Sequence, residues 1–167
     1  SRRRHTRLGR WSRGVGDVYK RQGVPRPTPR FTDNGDGTVT DNLTGLIWLQ
    51  QASTCIGQTN WSDAMNAVSS LESGMCNLSD DSQAGDWRVP SARELLSFID
   101  HGTSHPALTP GHPFQGVESL FHWSSTTTSE VWRAWGVQIA GGNFERRPKD
   151  TDTPPVLGNP HLVWPVK

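Results

Sequence analysis

The stretch GDWRVPSARELLSFID, residues 85–100, is the most heavily punctuated part of the chain. Pro90 disfavours helix at the residue before it. Ser91 stands where a helix cap belongs, and Glu94 completes an S-x-x-E capping box. Leu95, Leu96, Phe98 and Ile99 supply an apolar face, and Gly102 is expected to end the helix. Trp87 is expected to pack under a sheet, with Asp86 and Arg88 pinning the entry to the helix.

Upstream, Phe31-Thr32-Asp33 and Thr38-Val39-Thr40-Asp41 flank Asn34-Gly35-Asp36-Gly37. Asn-Gly and Asp-Gly steps tolerate positive φ, so this reads as a β-hairpin. A turn at Asn42 to Gly45 leads to a short buried strand at Leu46 to Leu49, which carries Trp48. Trp61, Ala64, Met65, Val68 and Leu71 share one helical face, with Asn60 as cap and Gly74 as stop. Downstream, a long Pro/His/Gly loop runs from Thr103 to Gly116. Strands are expected at 121–127, 131–139 and 161–166, with Gly141-Gly142-Asn143 turning into Phe144-Glu145-Arg146-Arg147. Trp135, Val137 and Ile139 fall on one face of their strand. Helices in the middle and strands around them make an α+β domain.

Length, 167 residues, suits one such domain with a tail. Mean hydropathy is low, −0.63, and eight Trp offset it in part. The net charge of +1 hides a split. Residues 1–30 hold ten of the 17 basic residues and one acid, leaving 7 basic against 15 acidic from Phe31 onward, a net of −8. The head, 1–30, ends in a Pro-rich linker and shows no structural periodicity. Its segment Gly16 to Gln22 resembles a translated sequencing-adapter remnant, so the head is expected to be disordered or non-native. It is therefore set aside as a nucleic-acid-binding arm, and the body is taken as residues 31–167. No apolar run approaches the roughly 20 residues that span a bilayer, so no membrane insertion is expected. No signal-peptide core follows the basic start, and a chain beginning with Ser is expected to be a fragment.

Cys55 and Cys76 are too few for a four-thiolate zinc site. A single disulfide, with an oxidising compartment, is the natural reading; two free thiols in a cytosolic protein are the alternative.

Four motifs, FTDNGDGTVTDNLTGLIW (31–48), GDWRVPSARELLSFID (85–100), WSSTT (123–127) and VWPVK (163–167), occur in an order that resembles the DUF1566 family. That family includes the C-terminal domain of the collagen-like adhesin Lcl. The resemblance covers about residues 31–167, and paired cysteines around the first helix fit many members. It implies a C-type-lectin-like fold: two helices packed on an antiparallel sheet, with the termini brought together. It also implies secreted or surface proteins of bacteria or phage that bind ligands. Related folds include phage and bacterial proteins diversified by retroelements, and the formylglycine-generating enzyme. That enzyme uses paired cysteines in its C-terminal half, where this chain has none, so its activity does not carry over.

Other constellations are weighed on their chemistry. Asp33, Asn34, Asp36 and Asp41 fail the EF-hand register, because glycines or Val39 fall where ligands or the turn Gly belong. His101, His105, His112 and His122 are read as solvated loop histidines, with no metal-binding H-E-x-x-H. Ser124 and Ser125 lack a nucleophile elbow. Asp86, Asp100 and Glu118 are the carboxylates a glycosidase would need to pair. No catalytic residue, metal or cofactor is assigned.

The last third carries the functional expectation. Trp132, Arg133, Asn143, Arg146, Arg147, Ser125 and Thr127 mix aromatic, guanidinium and hydroxyl groups suited to sugars, sulfates or protein surfaces. Trp48, Trp61, Trp87, Arg88, Trp123, Trp135 and Trp164 are assigned structural roles. Against a body of −8, an anionic ligand needs a local Arg cluster, which singles out Arg133, Arg146 and Arg147. The expected function is non-catalytic binding of a surface glycan, sulfated polysaccharide or protein, in an extracellular, cell-surface or periplasmic setting. An oligomer, if formed, would come through a longer parent protein. The alternatives are an enzyme of the formylglycine-generating or hydrolase type, and a structural fibre-tip module.

Overall fold

The computed structural model describes residues 26–149 and 161–167. Of the head, 1–30, expected to be disordered or non-native, residues 1–25 lie outside them, and Arg30 at its end is buried against Asp41. Among the described residues, two small antiparallel sheets and two helices make an α+β body. The first sheet has the order β1-β2-β3, from Phe31–Asp33, Thr38–Asp41 and Ile47–Leu49. Its first turn is held by side chains: Asp33 accepts from the Gly35 amide, and Asp36 accepts from the Thr38 amide and hydroxyl. One oxygen of each acid is thus spent on the turn itself, while Asp33 Oδ2 accepts from Gln50 Nε2.

Helix α1, Trp61–Ser69, starts at Asn60, whose side chain accepts from the Asp63 amide. It ends five residues before Gly74, which instead takes φ +94° in a later turn. Helix α2, Ala92–Phe98, has the capping box complete in both directions. It too ends before its expected glycine, because Ile99 turns extended and enters the core. Arg88 forks onto Glu94 at 2.6 and 2.9 Å, and Asp86 accepts from the Gln83 amide.

The second sheet has the order β4-β5-β6, from Phe121–Thr127, Arg133–Gln138 and Asn143–Pro148. Strand β5 starts two residues later than expected: Val131 lies in the preceding turn, exposed. The expected terminal strand at 161–166 is instead a thread making single bridges to several partners. His161 pairs with Thr59, Leu162 with His122, and Val166 with both Trp48 and Arg88. Each change of partner breaks the ladder a regular strand needs.

The core centres on Phe31, Trp48, Phe98, Phe114 and Trp164, with neighbouring rings 4.0–6.2 Å apart, mostly edge-on or tilted. Burying such rings is worth more than aliphatic packing alone, which offsets the low hydropathy. Trp87, Trp123 and Trp164 are buried, and each indole N–H reaches an acceptor: Ser82 Oγ, the Thr59 carbonyl and the Leu49 carbonyl. Trp48 is equally buried, but its indole N–H has no partner among the described residues. Trp61 is half-buried and donates to the Ser124 carbonyl. Trp135, expected in the core, is half-buried outside it and stacks on Phe144 at 4.3 Å. His122, expected in solvent, is fully buried on β4.

Cys55 and Cys76 form a disulfide, with Cα atoms 5.4 Å apart. It links the two loops flanking α1. Such a bond belongs to an oxidising environment rather than a reducing one. Among the described residues no helix is long and apolar enough to cross a membrane.

Candidate functional site

Strand registers decide how the expected binding residues are grouped. Across β5 and β6, Trp135 pairs with Arg146 and Ala134 with Arg147. Directly paired residues share a face, and neighbours along a strand point to opposite faces. Arg133, Trp135, Phe144 and Arg146 therefore occupy one face. Ala134 and Arg147 occupy the other.

On the first face the groups are contiguous. Trp132 is 52% exposed, and the Arg133 guanidinium lies over its ring at 4.1 Å. Glu130 Oε2 sits 3.3 Å from Arg133 Nε and 3.8 Å from Arg146 Nη1. Arg146 in turn lies opposite Trp135, which stacks on the 40%-exposed Phe144. Three exposed or half-exposed rings and two cations thus share one surface. The turn that presents them is fixed by its own hydrogen bonds. Thr128 Oγ1 donates to the Glu130 carbonyl and accepts from its amide, while the Arg133 amide donates to Glu130 and the Thr128 amide to Arg133.

The other expected residues are elsewhere. Arg147 lies over Phe121 at 5.6 Å and pairs with Glu145 at 2.5 Å, on the opposite face. Thr127 shares that face through Ala134 and accepts from Lys149, whose ammonium also lies 4.1 Å over Trp61. Asn143 pairs with Gln138 at the far end of the hairpin. That is five residues from Arg133, or roughly 17 Å along a strand. Ser125 is tied down, its amide and hydroxyl both donating to the Pro90 carbonyl.

Glu130, Phe144 and Trp135, the last expected in the core, are the members of this surface outside the expected binding set. Phe144 depends on the register: the turn spans four residues, 139–142, so Gln138 pairs with Asn143 and Trp135 with Arg146, with Phe144 one pair diagonal, whereas a two-residue turn at Gly141-Gly142 would have set Ala140 against Asn143. Glu130 carries no such signal, since its role depends on the shape of the turn.

A serine–histidine pair does exist, away from this face. The Leu120 carbonyl can only accept, so His122 Nδ1 carries the proton at 3.0 Å, and Nε2 accepts from Ser53 at 3.1 Å. Ser53 in turn accepts from the Glu118 amide. Both side chains are buried, and burial pushes the His122 pKa down to about 4. Among the described residues no carboxylate hydrogen-bonds the ring, and the Ser53 hydroxyl is on a buried residue. The arrangement satisfies buried polar groups rather than activating a nucleophile. Asp86 and Asp100 are spent on local turns, accepting from Gln83 and Gly102. Among the described residues no three His, Cys, Asp or Glu gather as metal ligands would. A cleft of about 380 Å³ lies between residues 26–31 and 109–112, lined largely by Pro27, Pro29, Phe31 and Pro110. It includes none of the expected binding residues. His112 borders it with an enclosed Nδ1 that has no partner among the described residues, and burial lowers its pKa.

Residues 37–167 match the family of Lcl C-terminal domains. The chain belongs to that family, the DUF1566 proteins. No curated protein and no solved structure matches the chain.

Proposed function

We propose that this is a non-catalytic recognition domain of C-type-lectin-like architecture, working in an extracellular, cell-surface or periplasmic setting. Its ligand is a glycan, a sulfated polysaccharide or a protein surface. The observation that carries this reading is the Trp132–Arg133–Arg146 face, with the Trp135–Phe144 stack beside it. Rings offer flat apolar area, and guanidinium groups bind sulfate or carboxylate in a fork. The lectin-like architecture is supported by the C-terminal thread returning to the N-terminal sheet, where the Ile47 amide donates to Lys167 and Leu49 to Pro165. The disulfide supports the setting.

Binding to a glycan array and to immobilised heparin tests the role. Arg133→Ala and Arg146→Ala are each expected to weaken binding about 5- to 30-fold, on the scale of a charge-assisted contact of roughly 1–2 kcal/mol. Arg147→Ala, on the opposite face, is expected to change it less than twofold. Equal losses from Arg146 and Arg147 would remove the site assignment, and no binding to any glycan or polyanion would remove the role.

A fibre-tip module is the second reading. It is favoured by Val131, 76% exposed, next to the 52%-exposed Trp132. Concentration-dependent self-association lost in Trp132→Ala would favour it over glycan recognition.

A further inference from the structure

The cleft between residues 26–31 and 109–112 lies apart from the recognition face and is built differently. Its volume, about 380 Å³, falls within the range of small-ligand sites. Pro27, Pro29 and Pro110 form stiff walls that carry no N–H donor. Phe31 and His112 also line it, and both rings lean on the buried Phe114, with centroids 5.0 and 5.8 Å from it. The aromatic core thus backs the cleft from behind. Two cations border it, and they differ. Arg30 is sealed, its donors going to Asp41, Ser97 and Phe98. Arg26 has a 63%-exposed side chain, and its one ion pair among the described residues is with Asp100 at 3.8 Å, beyond hydrogen-bond reach. With five N–H donors on its guanidinium, Arg26 has several to spare. Burial lowers the His112 pKa from 6.5, so at neutral pH this residue adds ring surface and no second charge. Its enclosed Nδ1 has no partner among the described residues, and buried polar atoms of folded proteins rarely stay so.

We propose that this cleft is a second binding site, one that takes a small aromatic carboxylate with its ring against the prolines and Phe31 and its carboxylate on Arg26. The site makes no use of Trp132, Arg133 or Arg146, so it stands whether or not the recognition face does. Proline C–H groups pack well on the negative face of an aromatic ring, and the edge of Phe31 or His112 suits the same ring. The guanidinium of Arg26 receives a carboxylate in a fork. Each half of the ligand therefore meets a different part of the cleft. A neutral ring would use the walls and leave Arg26 idle. A small aliphatic anion would use Arg26 and leave the walls wet. A free sugar of similar size fits worst, because each hydroxyl it buries needs a partner. The walls offer few: the Thr109 hydroxyl already donates to Asp100, and prolines donate nothing.

The test is an NMR titration of the 167-residue chain at neutral pH with four probes: benzoate, benzyl alcohol, acetate and glucose. Benzoate is expected to bind at least about fivefold more tightly than any of the others, since it alone joins ring and charge. Its shifts are expected at residues 27–31 and 109–112, the His112 ring protons among them. Arg26→Gln keeps a long polar side chain without the charge. It is expected to weaken benzoate about two- to fivefold and to leave benzyl alcohol unchanged. Pro110→Ala removes a wall and is expected to weaken both ring probes about twofold or more. Arg93→Gln removes an exposed cation of α2 that does not line the cleft, and should change neither. Unfolding curves establish that each variant is folded; should Pro110→Ala fail to fold, the exposed Arg26→Gln carries the test alone. The site is overturned if acetate or glucose binds as tightly as benzoate, or if Arg26→Gln and Arg93→Gln act alike. It is overturned equally if the benzoate shifts gather at Trp132, Arg133 and Arg146 instead of the cleft.

Discussion

Asp41 shows how much one residue can hold. It is fully buried, and Arg30 beside it is 6% exposed, with Nη2 and Oδ2 3.2 Å apart. Asp41 also accepts from the Leu43 amide and the Thr44 hydroxyl. Arg30 also donates to the carbonyls of Ser97 and Phe98 at the end of α2. Those carbonyls lack intrahelical partners, and a cation suits the negative end of a helix. The pair thus ties the first hairpin to α2 with most of its polar atoms satisfied. Removing one member leaves the other buried without compensation. Asp41→Ala is expected to cost about 3–5 kcal/mol in urea unfolding, and Asp41→Ala with Arg30→Met less than the single change. A single-variant loss below about 1 kcal/mol would contradict this. None of this is visible in sequence. Arg30 is the last of ten basic residues in a polar head, and a buried charge is chosen by the partner it meets. The split between Arg146 and Arg147 is different. It follows from strand alternation alone, so the sequence contained it, but composition grouped the two as one cluster.

At the scale of elements, local signals were dependable and distant pairings were not. Helix α2 has only seven residues, too short to persist alone, so its caps matter. Ser91, Glu94 and Pro90 act within one turn, and that is why they could be read directly. The Asn-Gly-Asp-Gly hairpin was legible for the same reason. The thread at 161–167 was not, because its partners lie 39 to 120 residues away and change along it. Arg88 adds a second tie to Glu94. Its hydrogen bonds, with those from Ser91, hold the Glu94 carboxyl at about 2 against the opposing effect of burial. A lowered carboxylate pKa stabilises the fold above the ordinary value of 4.5 and loses that stabilisation as pH falls toward 2. Ser91→Ala is expected to cost about 1 kcal/mol at neutral pH. Glu94→Gln is expected to be less stable than the parent at pH 7, with the difference shrinking as pH drops below 4.5. Melting temperatures at pH 7 and pH 3.5 check both, and a difference for Glu94→Gln that does not shrink would rule out the charged form as the stabiliser.

For the whole molecule, the C-terminal thread closes the structure, and His122 sits against it. The Leu162 and Trp123 amides donate into β4 and the thread, Val166 and Arg88 exchange both bonds, and Lys167 pairs with Asp80 over the Trp87 ring. His122 pairs with Leu162, lies 5.8 Å from the Trp164 ring, and accepts from Ser53 in the loop before α1. Its surroundings are therefore drawn from both sheets' partners, and a charge there has no water to solvate it. Burial lowers its pKa from 6.5 to about 4, and burial followed by repulsion from Arg147 does the same to His161. Below pH 6.5 the unfolded chain takes up protons that the folded chain refuses, so the fold loses stability as pH falls toward 4. For His122 the loss is about 1.4 kcal/mol per pH unit at its steepest, or roughly 3 kcal/mol by pH 4. The half-buried His161 adds to it in the same direction. Above pH 6.5 neither group contributes a slope. Urea unfolding at pH 7.5, 6.5, 5.5 and 4.5 is expected to show a level region and then a fall. Glu94 and Asp80, both with lowered pKa values, act further into the acid range and cannot produce a fall that begins near pH 6.5. His122→Gln can still accept and donate near Ser53 but cannot titrate. It should be less stable at pH 7.5, yet its decline to pH 4.5 should be shallower by about one proton. A parent chain equally stable at pH 7.5 and 4.5, or a His122→Gln slope equal to the parent's, would show that the buried imidazole does not limit the fold in acid.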